Sequence, residues 1–206
     1  MPGALFGDVF PTGGGSRDLT GTTDSSKYAM GTHWRPSVDG TVTAVRWFVP
    51  TGLVPSNADF AAGLAQPNAG GLGAGVTWLD WNTGVTRPGA GAAGTWVTLP
   101  LGTPQHVVAG TELYAVIRTD RYGFAQHIFD TGSTFPGADG NTVLVGDGIG
   151  GAGFPNGGFV TGGGETSNPP NFTAPSSFNA SFYGVDVLFT PDGAPPASTE
   201  RWGIPL

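Results

Sequence analysis

The sequence predicts an all-β protein, an antiparallel β-sandwich of jelly-roll or immunoglobulin-like kind with long loops rich in glycine and proline. Three observations predict it. Residues 94–119, GTWVTLPLGTPQHVVAGTELYAVIRT, read as three short strands with turns between them. Residues 180–190, ASFYGVDVLFT, alternate again, and Tyr183, Val185, Val187 and Phe189 make up the apolar set. Period-two alternation of aromatic and β-branched residues marks strands with one face in a core. Finally, no stretch of useful length has helical periodicity, and 206 residues suit a single β domain.

The elements follow in order. Residues 1–27 form an N-terminal arm and loop. Leu5, Phe6, Val9 and Phe10 make its start apolar, as a short strand or an arm that docks elsewhere, and 13–26 is a polar loop. Residues 28–34 read as a strand, and Asp39-Gly40 is a hairpin signal. Residues 41–49, TVTAVRWFV, are the clearest strand. Val42, Ala44, Arg46 and Phe48 face one side; Thr43, Val45, Trp47 and Val49 face the other. Arg46 marks its own side as the outer one, so Val45, Trp47 and Val49 are predicted to be buried. Residues 59–64 form a strand or one helical turn. Residues 76–81, VTWLDW, form a strand ended by the Asn82-Thr83-Gly84 turn.

Within 94–119, Trp96, Thr98 and Pro100 oppose Val97, Leu99 and Leu101. His106 to Val108 is a second strand, ended by a turn at Ala109-Gly110. In the third, Leu113, Ala115 and Ile117 alternate with Tyr114, Val116 and Arg118. Residues 124–129 are a further strand. The long excursion 130–179 holds one strand at 142–145 and otherwise turn chemistry, punctuated by Phe154, Phe159, Phe172 and Phe178. Connections this long serve as a binding surface or are ordered against neighbouring subunits. The domain reading is therefore 1–27 arm and loop, 28–191 sandwich, and 192–206 linker and tail.

Glycine (37) and proline (18) exceed a quarter of the residues, but strand-like runs interrupt them, and 13 Phe, 6 Trp and 4 Tyr supply a core. Charged residues are 11%, and the net charge is −7. The basic residues, Lys27 and seven arginines, are scattered along the sequence, which argues against nucleic acid and anionic membranes as partners. Such a surface suits neutral partners, including sugars and copies of the same chain, or serves only to keep the protein soluble. Cysteine is absent, excluding disulfides and thiolate metal sites. The N-terminus has neither a basic n-region nor an apolar h-region, so no signal peptide is predicted. No apolar run approaches the roughly 20 residues of a membrane span.

No HExxH, GxSxG or P-loop pattern occurs. His33, His106 and His127 are far apart and are not read as a metal site. Asp80, Asp120, Asp130 and Asp186 sit near strand ends, but no spacing singles out a glycosidase pair. Asp186 is expected to cap or bond a neighbouring loop. The Asp139-Gly140 and Asp147-Gly148 turns lack the full spacing of a calcium loop. No catalytic residue, metal or cofactor is predicted. Aromatic rings carry the binding argument, because a flat ring excludes water from the C–H face of a sugar. Trp78 and Trp81, three apart on a strand, are expected on opposite faces, with one in the core and one exposed. Trp34 and Trp47 are assigned to the core. Tyr122, on the turn Asp120-Arg121-Tyr122-Gly123, is expected to be exposed. Trp81 and Tyr122 are the candidate ligand-binding residues. The tail STERWGIPL places Trp202, Ile204, Pro205 and Leu206 beyond a proline-rich linker, where a free end is usually polar. It reads as an assembly arm inserted into a neighbouring subunit, with folding back onto its own sandwich as the alternative.

The ordered segments GTHWRPSVDGTVTAVRWF, TWLDWNTG, GTWVTLPLGTP, AGTELYAVIRT and FYGVDVLF together resemble DUF4082, a β-sandwich family of unknown activity. The resemblance spans roughly residues 28–191; it departs between Val49 and Val76, and at Gly184 before Val185. It implies the company such domains keep: small virion proteins of tailed bacteriophages, or secreted bacterial proteins beside carbohydrate-active modules. Low lysine, the length and the lack of a signal peptide favour the first. The expected function is a non-enzymatic virion structural protein, of minor tail or head-decoration type. Its expected partners are other virion subunits, further copies of itself and host-surface glycans, and its expected location is the virion. The alternative is a secreted carbohydrate-binding module.

Overall fold

A computed structural model describes residues 3–4, 20–22, 26–69, 74–124, 134–137, 140–145, 157–161, 167–172 and 182–193. The described strands are β1 (Gly3–Ala4), β2 (Thr20–Thr22), β3 (Tyr28–Pro36), β4 (Gly40–Phe48), β5 (Ala61–Pro67), β6 (Val76–Asn82), β7 (Trp96–Val107), β8 (Leu113–Thr119), β9 (Tyr122–Phe124), β10 (Thr134–Pro136), β11 (Thr142–Val145), β12 (Gly157–Val160) and β13 (Val185–Pro191). One sheet has the order β1-β13-β4-β7. The other has the order β10-β11-β3-β8-β5-β6, with β12 also pairing β3, and β2 pairs β9 in a small ribbon. Every pairing is antiparallel. The chain is the antiparallel β-sandwich its sequence predicts.

The two sheets enclose one main core. Met30, Trp34, Leu64, Leu113, Ala115 and Ile117 come from the larger sheet, and Val45, Trp47, Leu99, Val185, Val187 and Phe189 from the smaller. Val45, Trp47 and Val49 are fully buried as expected, and so is the apolar set that ends in Phe189. Trp34 meets Phe189 edge-on, with ring centroids 6.1 Å apart. The Thr32 hydroxyl donates to the Val185 carbonyl at 2.8 Å, a buried polar link between the layers. Each large side chain removed from water here contributes about 1.5–3 kcal/mol.

Several elements differ from the sequence reading, each for a physical reason. Residues 96–107 are one strand rather than two. Ala44 sits opposite Pro100 while Val42 sits opposite Gln105, so β7 carries an insertion that the alternation does not reveal. That β7 is an edge strand explains why it accommodates Pro100 and Pro104, which have no N–H to donate. In β4 the register against both neighbours shifts between Val42 and Ala44, and this bulge turns Val42 into the core alongside Val45. The β8 strand lies inside its sheet and is buried on both faces, not one. Arg46 is only 6% exposed, because it lies across from the fully buried Asp186, at 3.9 Å between Nη1 and Oδ2. Asp186 faces Arg46 and accepts the Val187 N–H at 2.7 Å. Residues 61–67 are strand, not helix. The excursion contributes β10 and β12 as well as the expected β11.

Along one flank the sheet edges are laced by side chains. The Asp80 carboxylate of β6 accepts the Gly102 N–H at 2.9 Å, and the Asn82 amide donates to the Pro100 carbonyl at 2.9 Å.

Candidate functional site

At one end of the sandwich the chain builds a cavity of about 280 Å³. Tyr28 and Met30 come from β3, Tyr122 and Phe124 from β9, Phe159 from β12 with Thr161 just beyond it, and Tyr183 precedes β13. Four of these rings form a closed cycle of edge-to-face contacts. Tyr28–Tyr122 centroids are 4.9 Å apart at 66°, Tyr122–Tyr183 6.1 Å at 67°, Tyr183–Phe159 6.1 Å at 74° and Phe159–Tyr28 5.8 Å at 69°. Antiparallel pairing sets the walls, since Thr22 lies opposite Tyr122, Tyr28 opposite Thr119, and Ala29 opposite Val160. Among the described residues, the lining has no charged side chain. Its polar groups are three phenols and the Thr161 hydroxyl, and the latter donates to the Lys27 carbonyl at 3.3 Å.

The sequence expectation for Tyr122 is corrected in its setting. Residues 122–124 are a strand rather than part of a turn, because they pair with residues 20–22, and Tyr122 is half-buried against Tyr28. It still faces a cavity. Trp81 lies elsewhere, so the two candidate residues are not brought together.

Trp78 and Trp81 lie on the same face, not on opposite ones. Leu64 pairs with Asp80 and Ala65 with Trp78, so Leu79 is bulged and the parity of β6 changes. Their rings meet at 4.7 Å and 63° on the outer face of the larger sheet, beside a second apolar cluster that includes Tyr114, Val116 and Phe172. Both are half-buried. Trp78 Nε1 donates to the Pro170 carbonyl at 3.1 Å and Trp81 Nε1 to Asn168 Oδ1 at 2.7 Å. The Arg118 guanidinium lies over the Trp81 ring, 5.4 Å from its centroid. Gly63 leaves room for that ring, since a Cβ there would lie 2.6 Å from Trp81 Cε3.

Between these two aromatic groups lies a polar hub that sequence spacing does not reveal. Four of the eight basic residues, Lys27, Arg87, Arg118 and Arg121, converge on the segment 56–59 and on Asp120. Arg118 Nε donates to the Asp59 carbonyl at 2.7 Å and its Nη1 to the Ser167 carbonyl at 2.8 Å. Arg87 Nη1 donates to the Ser56 and Asn57 carbonyls, beside a second, more open cleft of about 310 Å³. Asp120 accepts the Ser56 N–H at 2.8 Å and a very short bond from the Ser56 hydroxyl. Burial opposes ionisation of Asp120, but the bonds from Ser56 and Asn57 and the charge of Arg121 outweigh it and hold its carboxyl below the usual value. Asp59 behaves alike: burial raises its pKa, while Asn57, Lys27 and Arg118 lower it further.

The carboxylates considered for catalysis are engaged separately. Asp80 holds Gly102, Asp120 holds Ser56, and Asp186 faces Arg46. A general acid needs a raised pKa, whereas Asp59 and Asp120 are shifted the other way. His33 is buried, stacked on Tyr114 at 4.9 Å and 3.4 Å from Glu112, while His106 bonds Asp192 at 2.9 Å. Among the described residues no group of three or more His, Cys, Asp or Glu is placed to hold a metal ion. His127, Asp130, Asp139, Asp147, Phe154, Phe178, the side chains of Leu5, Phe6, Val9 and Phe10, and the arm residues Trp202, Ile204, Pro205 and Leu206 lie outside the described residues. Compared with protein-family models, with curated proteins and with solved structures, the chain matches none. Of the four rings in the cycle, Tyr28, Phe159 and Tyr183 are those that sequence reasoning did not name as binding residues. Each stands alone in its own segment, and only the pairing onto β3 and β13 gathers them.

Proposed function

We propose that the protein is a non-enzymatic structural protein of a tailed-bacteriophage virion, of minor tail or head-decoration type, and that its aromatic cavity contacts glycans of the host surface. The virion assignment rests on the DUF4082-like order of segments. The binding assignment rests on one observation, the cycle of Tyr28, Tyr122, Tyr183 and Phe159 lining a cavity that has no charged side chain among the described residues. Pockets that bind small ligands are concave and mostly apolar, with a few polar groups for orientation, and this one fits that description.

The same cavity would serve a carbohydrate-binding module beside a carbohydrate-active enzyme, and two experiments test the cavity and the assembly arm in turn. Binding to a glycan array that is lost on Tyr122→Ala supports the cavity. Retention of binding in that variant, or a uniformly flat array, removes it. Truncation after Asp192 addresses assembly through Trp202, Ile204, Pro205 and Leu206: normal incorporation of the shortened chain into particles would refute the arm.

A further inference from the structure

We infer that the group entering the aromatic cavity is a methylated ammonium, of the trimethylammonium class, carried as a substituent on the recognised glycan. The inference rests on the cavity being the binding site. Four rings at adjacent separations of 4.9, 6.1, 6.1 and 5.8 Å, with interplanar angles of 66–74°, have the relation of neighbouring walls in a box. A ring attracts a cation placed over its face within roughly 6 Å of its centroid, so rings this close together can act jointly on one cation. The same four rings line the cavity of about 280 Å³.

The chemistry of the lining favours this occupant over a bare sugar ring. A pyranose brings several hydroxyls, each needing a partner when it leaves water. The described walls offer three phenols and one threonine hydroxyl among Met30, Phe124 and Phe159. A trimethylammonium group needs no hydrogen bond. Its methyls pack on ring carbons, and its charge meets the negative faces of the rings. The chain's net charge of −7 also attracts cations.

The test uses the full chain and three small probes: choline, its neutral isostere 3,3-dimethylbutan-1-ol, and a neutral monosaccharide. Proton NMR follows the N-methyl signal of choline, which aromatic walls shift upfield, and titration gives the affinities. Choline is expected to bind about tenfold or more tightly than the isostere, because the shapes match and only the charge differs. Tyr122→Phe keeps the ring and is expected to keep choline binding, while Tyr122→Leu loses about tenfold. Equal binding of choline and the isostere, or the opposite order of the two variants, would overturn the inference. If Tyr122→Leu fails to fold, the comparison of probes on the unaltered chain decides alone. If the monosaccharide binds and choline does not, the inference fails while the glycan reading stands. If choline binds and glycans lacking a cationic group do not, the inference stands and the neutral-glycan version of that reading fails. If no probe binds, both fail.

Discussion

Gly63→Ala is a sharp perturbation of the outer aromatic face. The added Cβ would lie 2.4 Å from the Asp80 carbonyl oxygen, 2.6 Å from Trp81 Cε3 and 3.2 Å from Trp81 Cα. Ordinary contacts of these kinds run at about 3.3–4 Å, so the first two overlaps are about 1 Å. The first is with main chain, which cannot rotate away, so β5 and β6 must separate or the Trp81 ring must lift. Overpacking of this kind costs about 2–3 kcal/mol. Alanine regains up to about 1 kcal/mol relative to glycine in a strand. A net loss of about 2 kcal/mol is expected. For a chain of this length it appears as a fall of about 4–8 °C in Tm, or about 1 M in the urea midpoint if the slope is near 2 kcal/mol/M. The indole N–H signal of Trp81 should move as its bond to Asn168 is disturbed. Gly89→Ala is the control. Gly89 has φ −89° and no atom within 4 Å of the place its new methyl would take, so its change should stay within about 0.5 kcal/mol. If Gly63→Ala is as stable as this control and the Trp81 signal stays put, the ring does not lie over Gly63.

Three further outcomes are expected. Asp120→Ala removes the acceptor for Ser56 N–H and Oγ–H and should cost about 1–3 kcal/mol in urea unfolding, with faster amide exchange at 53–60. Because the carboxyls of Asp59 and Asp120 are held below the ordinary value of 3.8, their contribution is present above that pH and is lost as pH falls through and below it. Acid unfolding of the Asp120→Ala chain should therefore show a shallower fall there, and an unchanged profile would count against the hub. Thr32→Val leaves the Val185 carbonyl without its donor across the layers and should cost about 1–2 kcal/mol, measurable by thermal melting. Arg46→Met and Asp186→Leu singly should each cost about 3–5 kcal/mol, whereas the double variant should cost far less than their sum; strict additivity would show that the pair does not interact.

What the sequence made legible is what depends on neighbours along the chain. Tyr183, Val185, Val187 and Phe189 alternate without interruption, and all four face the core. The parity rule failed where an extra residue slipped into a ladder. One bulge moved Val42 to the core, and another put Trp78 and Trp81 on one face, because period two has no memory across an insertion. Burial of Arg46 was hidden for a different reason: its surroundings, unlike its charge, come from remote segments. The cavity and the basic hub are illegible on the same ground. Tyr28, Tyr122, Phe159 and Tyr183 share no spacing, and neither do Lys27, Arg87, Arg118 and Arg121; topology alone assembles them. β10 and β12 are short segments in glycine-rich surroundings, and they become strands by borrowing the ladders of β11 and β3.

Asp80 and Asn82 have a bearing on how copies of this protein can crowd together. With Gly102 and Pro100 already satisfied by those two side chains, and with Pro100 and Pro104 unable to donate, an intruding peptide finds no continuous row of main-chain hooks along that flank. Copies meeting side by side there would have to displace both side chains before their main chains could pair at Pro100 and Gly102.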